Sequence, residues 1–139
     1  MEAVNGSKFA AFEIEIEQPS RMVVLDKNRQ PYRNGDDRTA YIELYSADSD
    51  IARRHRRGVQ RKRLAMRGRG KITPEEMEAE DIELFVALTS GWDLAISDLP
   101  FSKENVRELY LNPKVPHIRE QVEEYVHDRG NFSKASSGS

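Results

Sequence analysis

Cysteine is absent from this chain of 139 residues, and none of its apolar runs is long. Without cysteine the chain can form no disulfide, no thiolate nucleophile and no thiolate metal site. No apolar run approaches the roughly 20 residues of a membrane-spanning helix. The N-terminal residues also lack the basic and then apolar pattern of a secretory signal. We therefore expect a soluble, cytoplasmic protein with no membrane partner.

Residue patterns that carry catalysis are also scarce. The three histidines, His55, His117 and His127, are widely spaced, and no His-x-x-x-His pair occurs. Gly68 and Gly70 lack both the preceding strand and the following Lys-Ser/Thr of a phosphate-binding loop. The acidic residues between positions 75 and 83 do not have the spacing of a calcium loop, and a solvated helix face explains them better. We expect no enzymatic activity, no catalytic residue, no cofactor and no bound metal.

What the sequence does have is charge, and that charge is unevenly distributed. Lys and Arg number 22 and Asp and Glu number 24, so the net charge is −2. Residues 51–72 carry ten basic and no acidic groups, whereas residues 73–139 carry six basic and fourteen acidic groups. Such a basic block beside an acidic remainder is either an interaction surface or an intramolecular partner of that remainder.

Short apolar patterns in the first third of the chain predict β-strands. Phe12, Ile14 and Ile16 alternate with glutamates, which is typical of a half-buried strand. Two further strands are predicted at residues 22–25 and 39–45, where branched and aromatic residues are concentrated. Three such strands form a small antiparallel sheet that helices must cover.

The middle of the chain predicts two helices of opposite charge. The first is expected from about Asp50 to Met66, with a thin apolar stripe and mostly Arg and Lys elsewhere. The second begins with Thr73, Pro74 and Glu76, which together predict a capping box with proline in the first turn. We expect these two helices to lie antiparallel, with the acidic side chains of the second facing the arginines of the first.

Two short helices are predicted near the end of the chain. Ser102 is a good N-cap for the first of them, and Asn112 with Pro113 ends it. Pro116 suits the first turn of the second helix, and Gly130 predicts a left-handed stop after it. The apolar stripe of this second helix consists of Ile118, Val122, Tyr125 and Val126.

Together these patterns predict an α+β fold. We expect a small N-terminal antiparallel β-sheet of about three strands packed with about four α-helices, so that the C-terminal two thirds of the chain are predominantly helical. A single domain would span residues 1–132, with a β-rich part at 8–45 and a helical part at 46–132. Residues 133–139 are small and polar, and they predict a flexible tail.

The basic block predicts a cationic surface on the first helix. No aromatic residue alternates with these arginines to stack on bases, and the acidic remainder of the chain would repel a phosphate backbone. Pairing with the acidic neighbouring helix, or with an acidic partner protein, is therefore preferred over nucleic-acid binding, and a second copy of this chain is also a possible partner. The predicted basic surface comprises Arg53, Arg54, Arg56, Arg57, Arg61, Lys62, Arg63 and Arg67.

The C-terminal third also resembles a known protein family. The matching positions are Trp92, Pro100-Phe101-Ser102, Glu104-Asn105, Asn112-Pro113, Pro116, Ile118-Arg119-Glu120-Gln121-Val122, Asp128-Arg129 and Asn131-Phe132. In these residues the chain is similar to the tail assembly chaperones of long-tailed bacteriophages. It departs from the family at His117, where an aromatic residue is usual, and at Gly130, where alanine is usual. The match is strong over about the last third of the chain and weak in the middle.

The resemblance implies a function in phage or prophage virion morphogenesis. Members of the family keep the long helical tape measure protein in solution, promote assembly of tail tube subunits around it, and are absent from the finished virion. It therefore implies action in the host cytoplasm with the tape measure protein, and possibly the tail tube protein, as partners. Apolar stripes of this kind are more often core than contact surface, but a chaperone needs some of them exposed to bind an amphipathic helix. The candidates are Leu109, Leu111, Ile118, Val122, Tyr125, Val126 and Phe132.

Two other function classes remain open from the sequence. One is a nucleic-acid-binding or regulatory protein that uses the basic segment 53–71. The other is a structural component of the tail or of the head–tail junction, which would be found in purified particles.

Overall fold

A computed structural model describes residues 8–66 and 70–132, and it has the predicted α+β architecture. Residues 1–7, residues 67–69 and the predicted tail at 133–139 lie outside the described residues, so the predicted basic residue Arg67 does too. The elements in chain order are β1 (Ser20–Val23), β2 (Tyr41–Leu44), α1 (Asp50–Ala65), α2 (Pro74–Leu88), β3 (Thr89–Asp93), α3 (Lys103–Leu111) and α4 (Pro116–His127). Short 3₁₀ turns lie at Ala10–Phe12, Ala95–Ser97 and Arg129–Phe132.

The sheet is antiparallel and has the order β1-β2-β3. Met22 pairs with Ile42 in the first ladder, and Ile42 pairs with Trp92 in the second. The third strand is therefore the segment that directly follows α2, and the prediction of a strand at residues 12–16 was wrong. β2 already has a partner on each side, and the N-terminal segment forms a 3₁₀ turn in which Phe12 is 81% exposed.

The core lies between one face of the sheet and the helices. Alternate strand residues Met22, Ile42 and Leu44 point inward, which is the two-residue period of a half-buried sheet. Each large apolar side chain buried in this way stabilises the fold by about 1.5–3 kcal/mol. The helices contribute Phe85, Leu88, Val106, Tyr110, Val122 and Val126 to the same cluster.

The helix starts follow the predicted local chemistry. Thr73 Oγ1 accepts the Glu76 N–H at 3.1 Å, and the Glu76 carboxylate accepts the Thr73 N–H at 3.0 Å, which completes the capping box. Ser102 Oγ accepts the Asn105 N–H at 3.1 Å and so caps α3. Gly130, in contrast, does not end α4 with a positive φ angle. Asp128 follows α4 in an extended conformation, and Gly130 lies within the 3₁₀ turn that comes next.

The helices pack in chain order, with α1 against α2, α2 against α3 and α3 against α4. Arg107 of α3 makes a bidentate ion pair with Glu83 of α2, at 2.6 and 2.8 Å. Arg129, beyond α4, reaches back to Asp48, which precedes α1, at 2.7 Å. None of the helices in the described ranges is both long and apolar enough to span a bilayer.

Candidate functional site

Helix α1 is well anchored only at its N-terminal end. Ser49 is its N-cap and accepts the Ala52 N–H, and the Ala52 side chain is fully buried. Asp50 adds a negative charge in the first turn, where the helix dipole favours it, and pairs with Arg54 at 2.6 Å. Beyond this turn most side chains of α1 are exposed, and Val59 is only half-buried. The helix therefore presents most of its surface to solvent.

Four arginines lie on the outward face of α1. Arg53, Arg54, Arg57 and Arg61 are exposed, and their spacing of three or four residues brings them onto one side of the helix. Arg53 and Arg54 are balanced by Asp50, and Arg53 also lies 3.5 Å from Glu17. Within the described residues, no ion pair is formed by Arg56, Arg57, Arg61 or Lys62. We call the set Arg53, Arg54, Arg57 and Arg61 the cationic face of α1.

The acidic side chains of α2 only partly meet the arginines of α1. Arg63 pairs with Glu80, so the last turns of α1 contact α2. Glu78 instead pairs with Arg119 of α4 at 3.2 Å, and Glu83 pairs with Arg107. Hydrogen bonding from Arg107 is the main cause that lowers the pKa of the Glu83 carboxyl. The expectation that α2 would neutralise the basic block is therefore correct for Arg63 and wrong for most of the cationic face.

Exposed apolar residues lie where α1 ends and α2 begins. Leu64 is 67% exposed and Met77 is 53% exposed, and Met66 is a further exposed apolar residue. Met66 is the C-cap of α1, and Met77 is the fourth residue of α2, so both lie near the connection between the two helices. We call Leu64, Met66 and Met77 the hairpin tip. It combines exposed apolar side chains with the cationic face on the same helix hairpin.

A shallow groove of about 230 Å³ separates α1 from α2. It is lined by His55, Val59, Arg63 and Leu84, among other residues. His55 Nε2 is a buried atom that has no hydrogen-bond partner among the described residues. The other two histidines lie elsewhere: His117 is hydrogen-bonded to the Tyr32 hydroxyl at 2.9 Å, and His127 contacts the Glu123 carbonyl. Across the described ranges, no three His, Asp or Glu side chains converge as metal ligands would.

Most of the predicted partner-binding residues lie in the protein interior. Val122 and Phe132 are fully buried, Val126 is 1% exposed and Ile118 is 8% exposed, so these four cannot contact a partner in this conformation. Ile118, Val122 and Val126 are inside because they belong to the core cluster that also contains residues of the sheet and of α3. Phe132 lies in the 3₁₀ turn after α4, with its ring edge-on to that of Tyr125. The sequence pattern alone does not specify this cover. Leu109 is partly buried against the same core.

Two predicted residues have different environments. Tyr125 is half-buried, and its hydroxyl donates to the Arg21 carbonyl at 3.1 Å and accepts from the Ser20 hydroxyl. It therefore binds β1, an edge strand of the sheet. Burial raises the pKa of this phenol. Leu111 is 55% exposed at the end of α3, and it remains accessible to a partner.

Two polar side chains that sequence reasoning missed join the helices to the rest of the fold. The Gln121 amide accepts the Leu25 N–H at 2.9 Å and donates to the Leu25 carbonyl at 2.8 Å. Lys103 Nζ donates to the carbonyls of Val86 and Thr89, each at 2.7 Å, and thereby caps the end of α2. These contacts join residues that are distant in sequence, so no local pattern could have signalled them.

Comparison with models of protein families, with curated proteins and with solved structures finds nothing that matches this chain.

Proposed function

We propose that this chain is a phage tail assembly chaperone that binds the tape measure protein, keeps it in solution and promotes assembly of the tail tube around it. The identity of the client comes from the resemblance of residues 92–132 to that family. The chaperone would act in the host cytoplasm and would be absent from the mature virion. The observation that supports a protein-binding role in this structure is the hairpin tip.

The hairpin tip has the chemistry of an adaptable protein-binding surface. Methionine is unbranched and polarizable, so it can fit apolar partners of different shapes. Leu64 and Met77 are each more than half exposed at a site where no described side chain covers them. The surface is small, so a single contact would be weak, and several copies would have to act along one client. Weak contacts of this kind suit a chaperone, because the tail tube must later displace it.

A tape measure protein fits such a surface for a physical reason. A long helical protein exposes apolar stripes until the tail tube encloses it, and exposed apolar surface promotes aggregation. An amphipathic helix can lay one apolar turn on the hairpin tip. We therefore propose that the client contacts Leu64, Met66 and Met77 and not the buried stripe of α4. Leu111 is a separate exposed residue.

Co-expression with the tape measure protein encoded in the same genome tests this function. We expect the tape measure protein to move from the insoluble to the soluble fraction and to co-elute with the chaperone on gel filtration. Leu64→Ser with Met77→Ser should reduce the recovered complex several-fold. The matched control is Ile96→Ser, since Ile96 is 50% exposed on a different part of the chain. A tape measure protein that stays insoluble beside the wild-type chain would refute the proposal.

Nucleic-acid binding is the second candidate. It is favoured by four cations that form no ion pair within the described part of the chain: Arg56, Arg57, Arg61 and Lys62. Phosphate contacts release counterions, so binding of this kind weakens steeply with salt. Titration of a labelled duplex and of a labelled single strand at two salt concentrations distinguishes it from the chaperone. If the chain is instead a structural component of the tail or of the head–tail junction, it should be found in purified particles.

A further inference from the structure

The cationic face of α1 has an electrostatic counterpart on the same chain. Glu120, Glu123 and Glu124 are exposed on the outward side of α4, opposite the stripe Ile118, Val122 and Val126 that faces the core. Among the described residues, none of the three glutamates forms an ion pair. We call these three residues the acidic face of α4.

The two faces match in spacing as well as in sign. Arg57 and Arg61 are one helical turn apart, and Glu120 is one turn from Glu123 and Glu124. Two helices that lie side by side would therefore bring successive arginines to successive glutamates. Each face also places like charges at neighbouring positions on its own helix, and a partner of opposite charge relieves this repulsion.

No ion pair joins the two faces within the described part of one molecule. Arg57 and Arg61 are exposed on α1, and the three glutamates are exposed on α4. Arg119, the basic side chain next to Glu120, is already paired with Glu78. The net charge of the whole chain is only −2, so two copies do not repel each other strongly.

We propose that the chain self-associates by docking the cationic face of α1 of one copy onto the acidic face of α4 of another. The occupant is a second copy because the same chain supplies both complementary surfaces at matching spacing. A contact between two different faces leaves one face free on each copy, so the association can continue from copy to copy. The proposal does not depend on the identity of a client, and the purified protein is sufficient to test it.

The test measures the mass of the purified chain by light scattering during gel filtration. At about 10 mM salt the mass should exceed the 16.0 kDa of one chain, and at about 1 M salt, where the Debye length shrinks from about 30 Å to about 3 Å, it should fall to that value. A dimer or a longer series at low salt supports the contact. A single chain at every salt concentration and at high protein concentration overturns it.

Charge reversal on either face identifies the contact. Arg57→Glu with Arg61→Glu, and separately Glu120→Lys with Glu123→Lys, should each weaken self-association at least about tenfold, because like charges then meet. Mixing the two variants should restore association, since the reversed α1 of one fits the reversed α4 of the other. Circular dichroism checks that the helices of both variants are intact.

Control variants separate this contact from a general effect of net charge. Lys8→Glu with Arg33→Glu matches the first variant in charge, and Asp36→Lys with Asp37→Lys matches the second, at exposed positions outside α1 and α4. Both controls should associate as the wild type does. If the control variants lose self-association as strongly as the face variants do, or if the two mixed face variants do not associate, the proposal is wrong. A wild-type chain that is monomeric yet binds a labelled duplex through Arg57 and Arg61 would instead assign the cationic face to nucleic acid.

Discussion

At the scale of single residues, a buried hydroxyl pair fixes the junction between α2 and β3. Thr89 Oγ1 donates to the Phe85 carbonyl at 2.7 Å and accepts from the Tyr110 hydroxyl, also at 2.7 Å. Thr89 is fully buried and Tyr110 is 3% exposed, so water cannot replace either partner. The same burial raises the pKa of the Tyr110 phenol well above its usual range. The pair ties α3 to the strand that completes the sheet.

Substitutions at Thr89 and at Tyr110 should lower the free energy of unfolding by different amounts. Tyr110→Phe removes a hydroxyl but leaves Thr89 bonded to Phe85, so we expect a loss of about 0.5–1.5 kcal/mol in the free energy of unfolding. Thr89→Val leaves the buried Tyr110 hydroxyl without a partner, and we expect a loss of about 1–3 kcal/mol. The double variant should cost less than the sum of the two losses, because no unpaired hydroxyl remains. Urea unfolding measures all three, and simple additivity would contradict this account.

At the scale of elements, α1 is the helix held least by packing. Arg53, Arg57 and Arg61 follow one another at four-residue intervals, and such like-charge pairs destabilise a helix. Arg57→Glu replaces these two repulsive pairs by attractive ones, and we expect it to stabilise α1 by roughly 0.8–2 kcal/mol at low salt. Arg57→Gln removes the repulsion alone and should give about half the effect. Hydrogen exchange of the α1 amides in dilute protein measures the stabilisation in both variants. If exchange is no slower in either variant than in the wild type, repulsion between these arginines is unimportant.

The helices were predictable from sequence because their signals are local. The Thr73–Glu76 capping box and the Ser102 cap each need only four consecutive residues, and both form as predicted. The third strand was not predictable in this way, because residues 89–93 become a strand only by pairing with β2, some 45 positions earlier. The glutamates of residues 13–17 gave a misleading alternation, since periodicity reports a possible strand and not a partner for it.

The candidate site was predictable to a similar, partial degree. The cationic face follows directly from the sequence, because arginines on a helix with little apolar surface must remain exposed. The apolar contact residues did not follow, because an amphipathic stripe marks burial without specifying whether the cover is the chain itself or a partner. Val122 and Phe132 are covered by this chain, whereas Leu64 and Met77 are not.

At the scale of the whole molecule, two ion pairs join segments that are far apart in sequence. Asp48 before α1 meets Arg129 after α4, and Glu83 of α2 meets Arg107 of α3. Hydrogen bonding from Arg129 is the main cause that lowers the pKa of the Asp48 carboxyl, as Arg107 does for Glu83. Both pairs are partly open to solvent, so each contributes modestly at neutral pH. They nevertheless couple the stability of the fold to protonation of the two carboxyls.

The two lowered pKa values determine how the stability of the fold changes with pH. Both pKa values are lower in the folded state than in the unfolded state. The stabilisation is therefore complete above the unfolded pKa values, which are about 3.9 for Asp and about 4.3 for Glu. It is lost as the pH falls through the folded pKa values. We therefore expect the urea midpoint to be unaffected by these two groups between about pH 7 and pH 5.5 and to fall below about pH 4.5. Asp48→Asn with Glu83→Gln removes both groups and should reduce the acid-induced loss. Asp36→Asn with Asp37→Asn, at exposed loop positions, is the matched control and should leave the loss unchanged. An equally steep loss in the first variant would assign the acid sensitivity to other carboxyls.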